Sequence, residues 1–226
     1  MSQTNANNYG VVAKIYDFLG HIYSGGQIRA SKQAQLDVIK PGQRVLYAGA
    51  GGGEDAVMAA KQGAVVTVVE LSPEMIEQCQ RRFRKEGVEE QIELVEADIM
   101  TFRREHAYDV VVANFFLNVF SISVMPGVMD HLVSLLKPSG YFLISDFRPL
   151  EGGFLGRTLH FLYYGAVALF FRIVSNNPFH PIYDYRGLLP EAGLKLQEVR
   201  DFKLFGIGPA WYRGLFTRKL GSSQTL

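Results

Sequence analysis

The order of apolar runs and helix-prone segments predicts an α/β fold, with a mostly parallel sheet covered by helices on both faces. Three observations carry this reading. Short apolar runs alternate with helical stretches from residue 27 to residue 146, as repeated βαβ units require. The run Val45-Leu46-Tyr47-Ala48 passes into Gly49-Ala50-Gly51-Gly52-Gly53 and then into helix-prone sequence. That is a buried strand, a tight loop and a helix start with free N–H groups. Glu70 closes the next apolar run, 21 residues after Gly49, the distance at which a βαβ unit brings an acid to a ribose hydroxyl.

The elements follow in order. Residues 27–39 read as a helix before Pro41-Gly42. Strand 44–48, helix 54–62, strand 65–70, helix 73–86, strand 91–96 and strand 109–114 come next, then helix 124–137 and strand 140–146. Pro73 stands at a helix start, where its missing N–H costs nothing. Lys137-Pro138-Ser139-Gly140 stops a helix and turns into a strand. After Asp146 the rhythm breaks. An insertion over 150–183 precedes a closing helix and two last strands, about 194–202 and 209–218. One domain spanning 1–226 follows, with 41–149 and 184–220 as its core. A ligand is expected beyond the C-terminal ends of the strands.

Composition narrows the function. A chain of 226 residues with a 48% hydrophobic fraction can bury a substantial core. The formal net charge of +1 gives no case for nucleic acid as a partner. Cys79 is the single cysteine, which excludes an internal disulfide and reads as a packed thiol. Residues 1–8 are polar and Asn-rich rather than a signal peptide, so a cytoplasmic chain is expected. No metal-ligand spacing such as His-x-x-x-His or Cys-x-x-Cys occurs, and no metal is expected.

The glycine loop lacks the spacing of the dinucleotide fingerprint and the Lys-Ser/Thr of a Walker loop. A nucleoside-like ligand without a pyrophosphate remains. Taken with Val68-Val69-Glu70-Leu71-Ser72-Pro73-Glu74-Met75 and Glu96-Ala97-Asp98-Ile99, the chain resembles the class I S-adenosylmethionine-dependent methyltransferases. The resemblance runs from about Tyr9 to Lys219. It implies a Rossmann-like sheet of seven strands, one antiparallel, and S-adenosylmethionine as cofactor, with S-adenosylhomocysteine as product. It also implies that residues 1–40 cover the cofactor. In this resemblance Gly49, Ala50 and Gly51 hug the methionine part, and Glu70 accepts from both ribose hydroxyls. Leu71 and Met75 line the adenine, Asp98 accepts from its amino group, Ile99 packs on the ring, and Asn114 to Phe116 floor the sulfonium end. Each polar residue has a plainer reading too: Glu70 as a strand-end surface acid, Asp98 as a turn or helix-start acid, Asn114 as a turn former.

One position departs from the family. Tyr47 stands where an acid usually helps to hold the cofactor's ammonium group, and a tyrosine carries no charge at neutral pH. Either Glu54 or Asp55 replaces that acid, or the cofactor is held differently, or the activity has changed. A non-catalytic or non-methylating S-adenosylmethionine-binding protein therefore stands as the alternative.

The segments Tyr9-Gly10, Ile15-Tyr16-Asp17, Ser24-Gly25-Gly26 and Leu117-Asn118-Val119 look like those of the ubiquinone/menaquinone C-methyltransferases and related phospholipid N-methyltransferases. This places Tyr16 beside the cofactor, or in ordinary helix packing. It also implies a hydrophobic, quinone-like or lipid-like small molecule as acceptor. The insertion holds eleven apolar residues, 161–171, too few for a bilayer span, which takes roughly 20. A substrate lid packed on the sheet, a lid that also lies in a membrane interface, and a homodimer contact are the three readings. As a lid it should turn Phe161, Tyr164, Leu169 and Phe170 toward apolar surroundings. An acceptor that must lose a proton needs a base. His180 is the first candidate, Asp146 at the end of the fifth strand the second, and Tyr183 stands beside them.

Overall fold

The computed structural model describes residues 24–149, 158, 161, 162, 164, 165, 182–206 and 210–220. Seven strands form one sheet in the order β3-β2-β1-β4-β5-β7-β6. They are β1 Arg44–Ala48, β2 Val65–Glu70, β3 Ile92–Glu96, β4 Tyr108–Asn114, β5 Leu136–Phe147, β6 Leu194–Lys203 and β7 Ala210–Lys219. The strands β3-β2-β1-β4-β5 are parallel, and β7 runs antiparallel to both of its neighbours. The α-helices with defined bounds are α1 Gln27–Gln33, α2 Glu54–Lys61, α3 Pro73–Glu86 and α4 Met125–Ser134, and residues 158, 161, 162, 164 and 165 are helical as well.

Strand periodicity sorts the core into two layers. Val45, Tyr47, Val66, Val68, Val110 and Val112 pack with Ala56 and Ala59 of α2 and with Cys79 and Phe83 of α3. Leu46, Ala48, Val69, Val111 and Ala113 point the other way, onto Met125, Met129 and Leu132 of α4. The central strands are apolar on both faces because helices cover both. β1 pairs in parallel with β2 on one side and β4 on the other, so the chain winds outward from β1 to β2 and β3 and then crosses back to β4, reversing the direction of winding. That reversal opens the crevice above the strand tips.

Three elements differ from expectation. The first helix ends at Gln33 and tightens into a 3₁₀ turn, Ala34–Asp37, which swings Gln35 under the strand tips. β5 begins at Leu136, so α4 stops at Ser134, and the Pro138-Ser139-Gly140 turn is carried as an irregularity with Ser139 at φ 61°. In place of a closing helix there is a 3₁₀ turn, Tyr185–Gly187, and further turns up to Gly193. Pro190 has no N–H to donate, and Gly193 at φ 69° turns the chain into β6.

Candidate functional site

The loop between β1 and α2 turns on three glycines in the left-handed region, Gly49 (φ 65°), Gly51 (φ 49°) and Gly53 (φ 73°). They serve different needs. A Cβ at Gly49 would meet the Phe116 ring at 2.5 Å, and one at Gly53 would meet the Phe83 ring at 2.7 Å. A Cβ at Gly51 would meet nothing within 4 Å. Gly49 and Gly53 therefore allow close packing, while Gly51 faces open space. Beneath the loop the Cys79 thiol donates to the Gly51 carbonyl at 3.2 Å, and burial pushes its pKa up to about 12. The thiol is a packed staple and not a nucleophile.

Glu70 ties this loop to the turn after β2. Its Oε2 accepts from the Ala50 amide at 3.2 Å. Its Oε1 accepts from the amides of Leu71 at 2.9 Å and Ser72 at 3.0 Å. Three backbone donors orient the carboxylate, and Oε2 keeps a lone pair for a further donor. Ser72 caps α3 by accepting from the Met75 amide, so Leu71 and Met75 stand where β2 passes into that helix. Leu71 is 63% exposed. Past β3, Asp98 Oδ1 accepts from the Met100 amide at 2.8 Å, which is the turn-forming role weighed for it. Ile99 is buried in the core beside Phe102, so its side chain belongs to the α4 layer rather than to the crevice.

Two expected ligand residues prove to be packing residues. Tyr47 is 2% exposed and lies in the α2–α3 layer. Its hydroxyl donates to the Asp55 carbonyl at 3.2 Å, and burial raises its pKa well above 10. The ring fills the core, so its departure from the family pattern is a packing substitution. Asn114 is saturated. It exchanges a reciprocal amide pair with Gln35 (2.8 and 3.0 Å), donates to Asp55 Oδ2 at 3.0 Å and accepts from the Ser145 amide at 3.1 Å. Nothing of its side chain is left for a ligand. Asp55 is buried there, ion-paired with Lys32 at 3.4 Å, and its Oδ1 has no partner among the described residues.

At the tip of β4, Phe115 adopts φ 51°, a strained value for a bulky residue. Its amide donates to the Ser145 carbonyl, and its ring meets Phe147 edge-on at 5.5 Å. Phe147 meets Tyr164 at 5.3 Å, and Tyr164 meets Trp211 at 5.9 Å. Tyr164 donates to the Trp211 carbonyl at 2.7 Å, which fixes this part of the insertion to β7. Phe161 and Leu162 are 71% and 61% exposed, so Phe161 does not face apolar surroundings as expected. The ring of Tyr164, three residues on, takes that place on the sheet. Leu169, Phe170, Tyr16 and His180 lie outside the described residues.

Comparison with known proteins bears on the whole. A family model described as "Methyltransferase domain" matches residues 45–140. The ubiquinone/menaquinone biosynthesis C-methyltransferase UbiE of Rhizobium meliloti is 26% identical over 95% of this chain and 84% of its own length. That of Cereibacter sphaeroides is 24% identical over 90% and 82%. The magnesium protoporphyrin IX methyltransferase of Synechocystis, solved with bound SAH, superposes with a TM-score of 0.62 at 19% identity, over 89% of this chain and 84% of that one. Residues 45–140 carry the methyltransferase domain, and the relatives together support an S-adenosylmethionine-dependent methyltransferase of class I. The methyltransferase also shares its fold with the [4+2]-cyclase SpnF, at a TM-score of 0.65 and 16% identity over 86% and 82%. The cradle around Gly51 and the free lone pair of Glu70 fit S-adenosylmethionine.

A second buried polar group lies at the C-terminal end of β5, in a recess of its own. Asp146, at the end of β5, is 5% exposed. Its Oδ1 accepts from Asn118 Nδ2 at 2.8 Å and from the Phe147 amide at 2.7 Å, and its Oδ2 accepts from the Tyr185 hydroxyl at 2.6 Å. Burial without a cation pushes its pKa up to about 7, against these three hydrogen bonds. Tyr183 is beside it but turned away, donating to the Phe120 carbonyl at 3.0 Å. Tyr185 was not singled out in the sequence. Its position in Tyr183-Asp184-Tyr185, two residues beyond a candidate already considered, was the available signal. Among the described residues no helix is long and apolar enough to cross a membrane.

Proposed function

We propose that the enzyme transfers the methyl group of S-adenosylmethionine, in line and directly, to a hydrophobic small molecule of quinone-like or lipid-like kind. The observation that carries the cofactor end is the carboxylate of Glu70, fixed by three backbone amides beside the open space over Gly51. Glu70 would hold the ribose, the backbone of 49–51 the methionine part, and Leu71, Met75 and Asp98 the adenine. Residues 1–40 would cover the cofactor, and 150–183 would form the substrate lid. When bound, the cofactor supplies an electrophilic methyl group on sulfur. The protein's part is alignment and exclusion of water, which contribute roughly 7–11 kcal/mol.

The acceptor class rests on the two UbiE relatives, matched over most of their length, and on the aromatic wall of Phe115, Phe147, Tyr164 and Trp211. A wall of rings suits a flat aromatic head or a prenyl chain. Phe161 and Leu162 would offer weak contact to a lipid surface.

Calorimetric titration with S-adenosylmethionine and S-adenosylhomocysteine, then a tritium-methyl assay on a total lipid extract, tests the reading. Gly51→Val should abolish binding in a folded protein, since its side chain would enter the open space at a φ that disfavours it. Glu70→Ala should weaken binding about ten- to hundredfold. Unchanged affinity in both variants would sink the cofactor site.

A further inference from the structure

Asp146 and Tyr185 meet in a recess at the tips of β5 and β7 that Ile144, Phe147, Tyr183 and Leu215 also line. The pair is built by topology, 39 residues apart in the chain, and joined by a 2.6 Å hydrogen bond from hydroxyl to carboxylate. All three donors to the carboxylate are neutral: a phenol, an amide side chain and a backbone N–H. The charged groups that also line the recess are engaged elsewhere. Asp184 pairs with Arg186, and Arg213 pairs with Asp201 of β6. Asp146 is thus a buried acid with no countercharge in contact, at the C-terminal end of β5 and lining a recess. A purely structural acid is usually given a cation.

From this geometry we infer that Tyr185 and Asp146 form a proton-accepting pair, and that the acceptor is an aromatic hydroxyl compound rather than an amine. The inference rests on the methyl-transfer reading. The acceptor's O–H proton passes to Tyr185 Oη as the proton of Tyr185 passes to Asp146 Oδ2. The ionised acceptor, through its oxygen or the ring carbon beside it, forms the new bond to the methyl carbon. The carbon–sulfur bond breaks and the sulfur keeps its electron pair. One proton is released overall, and the carboxylate takes it. Methylation at the ring carbon requires that carbon to shed its own proton afterwards, which restores the hydroxyl. A carboxyl pushed up to about 7 is matched to this task near neutral pH. The Tyr185 hydrogen bond lowers that value, so losing it should move the titration upward.

The test uses the full chain, with Asp146→Asn and Tyr185→Phe each checked first for wild-type affinity for S-adenosylhomocysteine. Turnover is followed with tritium-methyl S-adenosylmethionine from about pH 5.5 to 9 on a short-tailed prenylated naphthohydroquinone, with phosphoethanolamine as the amine arm. In parallel, infrared difference spectra of wild type against Asp146→Asn follow the carboxyl titration without any acceptor. Wild type should methylate the hydroquinone, with kcat rising through a limb near pH 7 that coincides with the infrared titration. Asp146→Asn should lose about a hundredfold in kcat and lose the limb. Tyr185→Phe should lose about tenfold and shift both limb and titration to higher pH. The inference is overturned if the limb survives in Asp146→Asn, if the carboxyl does not titrate between about pH 6 and 8, or if the hydroquinone is not methylated. Methylation of phosphoethanolamine alone would likewise overturn it. Failure of the wild type to bind S-adenosylhomocysteine would instead bring down the underlying reading.

Discussion

Ser145 and Asp146 are neighbours on β5, yet they face opposite sides of the sheet and enter two buried polar groups of different kinds. Ser145 joins the cluster of Gln35, Asn114, Asp55 and Lys32, in which Asp55 has a lysine at 3.4 Å. Asp146 joins Asn118 and Tyr185 and has only neutral donors. The first cluster ties the segment 27–37 to the strand tips through an amide pair, an ion pair and a hydroxyl bond to the Ser31 carbonyl. It uses its polar capacity on structure. The second leaves a carboxyl able to gain or lose a proton near neutrality. Burial alone does not separate structural from chemical acids; the charge of the partners does.

The largest effect that would sharpen this contrast is at Tyr47. Its ring lies in the same layer as Asp55, and Tyr47→Asp would bury a second carboxylate there. We expect a loss of about 3–5 kcal/mol in urea unfolding; a stable variant with tighter cofactor binding would restore a ligand role to that position. Next is Asn114→Ala, which strips partners from Gln35, Asp55 and the Ser145 amide together. It should cost about 3 kcal/mol. A cost near zero would break the claim that this cluster is structural.

Asp146→Asn should act in the opposite direction. The folded pKa of about 7 lies above the ordinary 3.8, so the folded chain binds more protons between those values. The group's contribution to stability is full below about pH 4 and is lost as pH rises through 7. Removing the charge should therefore raise the unfolding free energy by about 1–3 kcal/mol at pH 8, and by progressively less toward pH 5. Equal gains at both pH values would mean that the carboxyl does not titrate in the folded protein. The smallest effect is expected for Tyr47→Phe, about 1 kcal/mol for one hydrogen bond to a helix carbonyl.

What was legible in the sequence follows the range of the interactions. The glycine loop and Glu70 could be read because their relation is a fixed spacing along one βαβ unit, and β1, β2 and α3 lie within a residue of expectation. Asn114 was misread because its partner Gln35 is 79 residues away, and no local pattern announces that pairing. Tyr47 looked like a lost ligand because a motif is compared position by position, whereas the ring is accommodated by α2 and α3. Tyr185 escaped notice for the same reason: only the return of the chain after the insertion brings it to Asp146. Asn118, quoted for its resemblance alone, meets Asp146 because β4 and β5 pair side by side.

The thiol of Cys79 turns the glycine loop into its own reporter. It is the single cysteine of the chain, buried, and bonded to the Gly51 carbonyl. A thiol reagent can modify it only while the loop is lifted and α3 loosened, so the labelling rate times that opening. No engineered probe is needed. Any molecule that settles over Gly51 should slow the clock in proportion to its occupancy, which allows acceptors and cofactor analogues to be ranked without turnover.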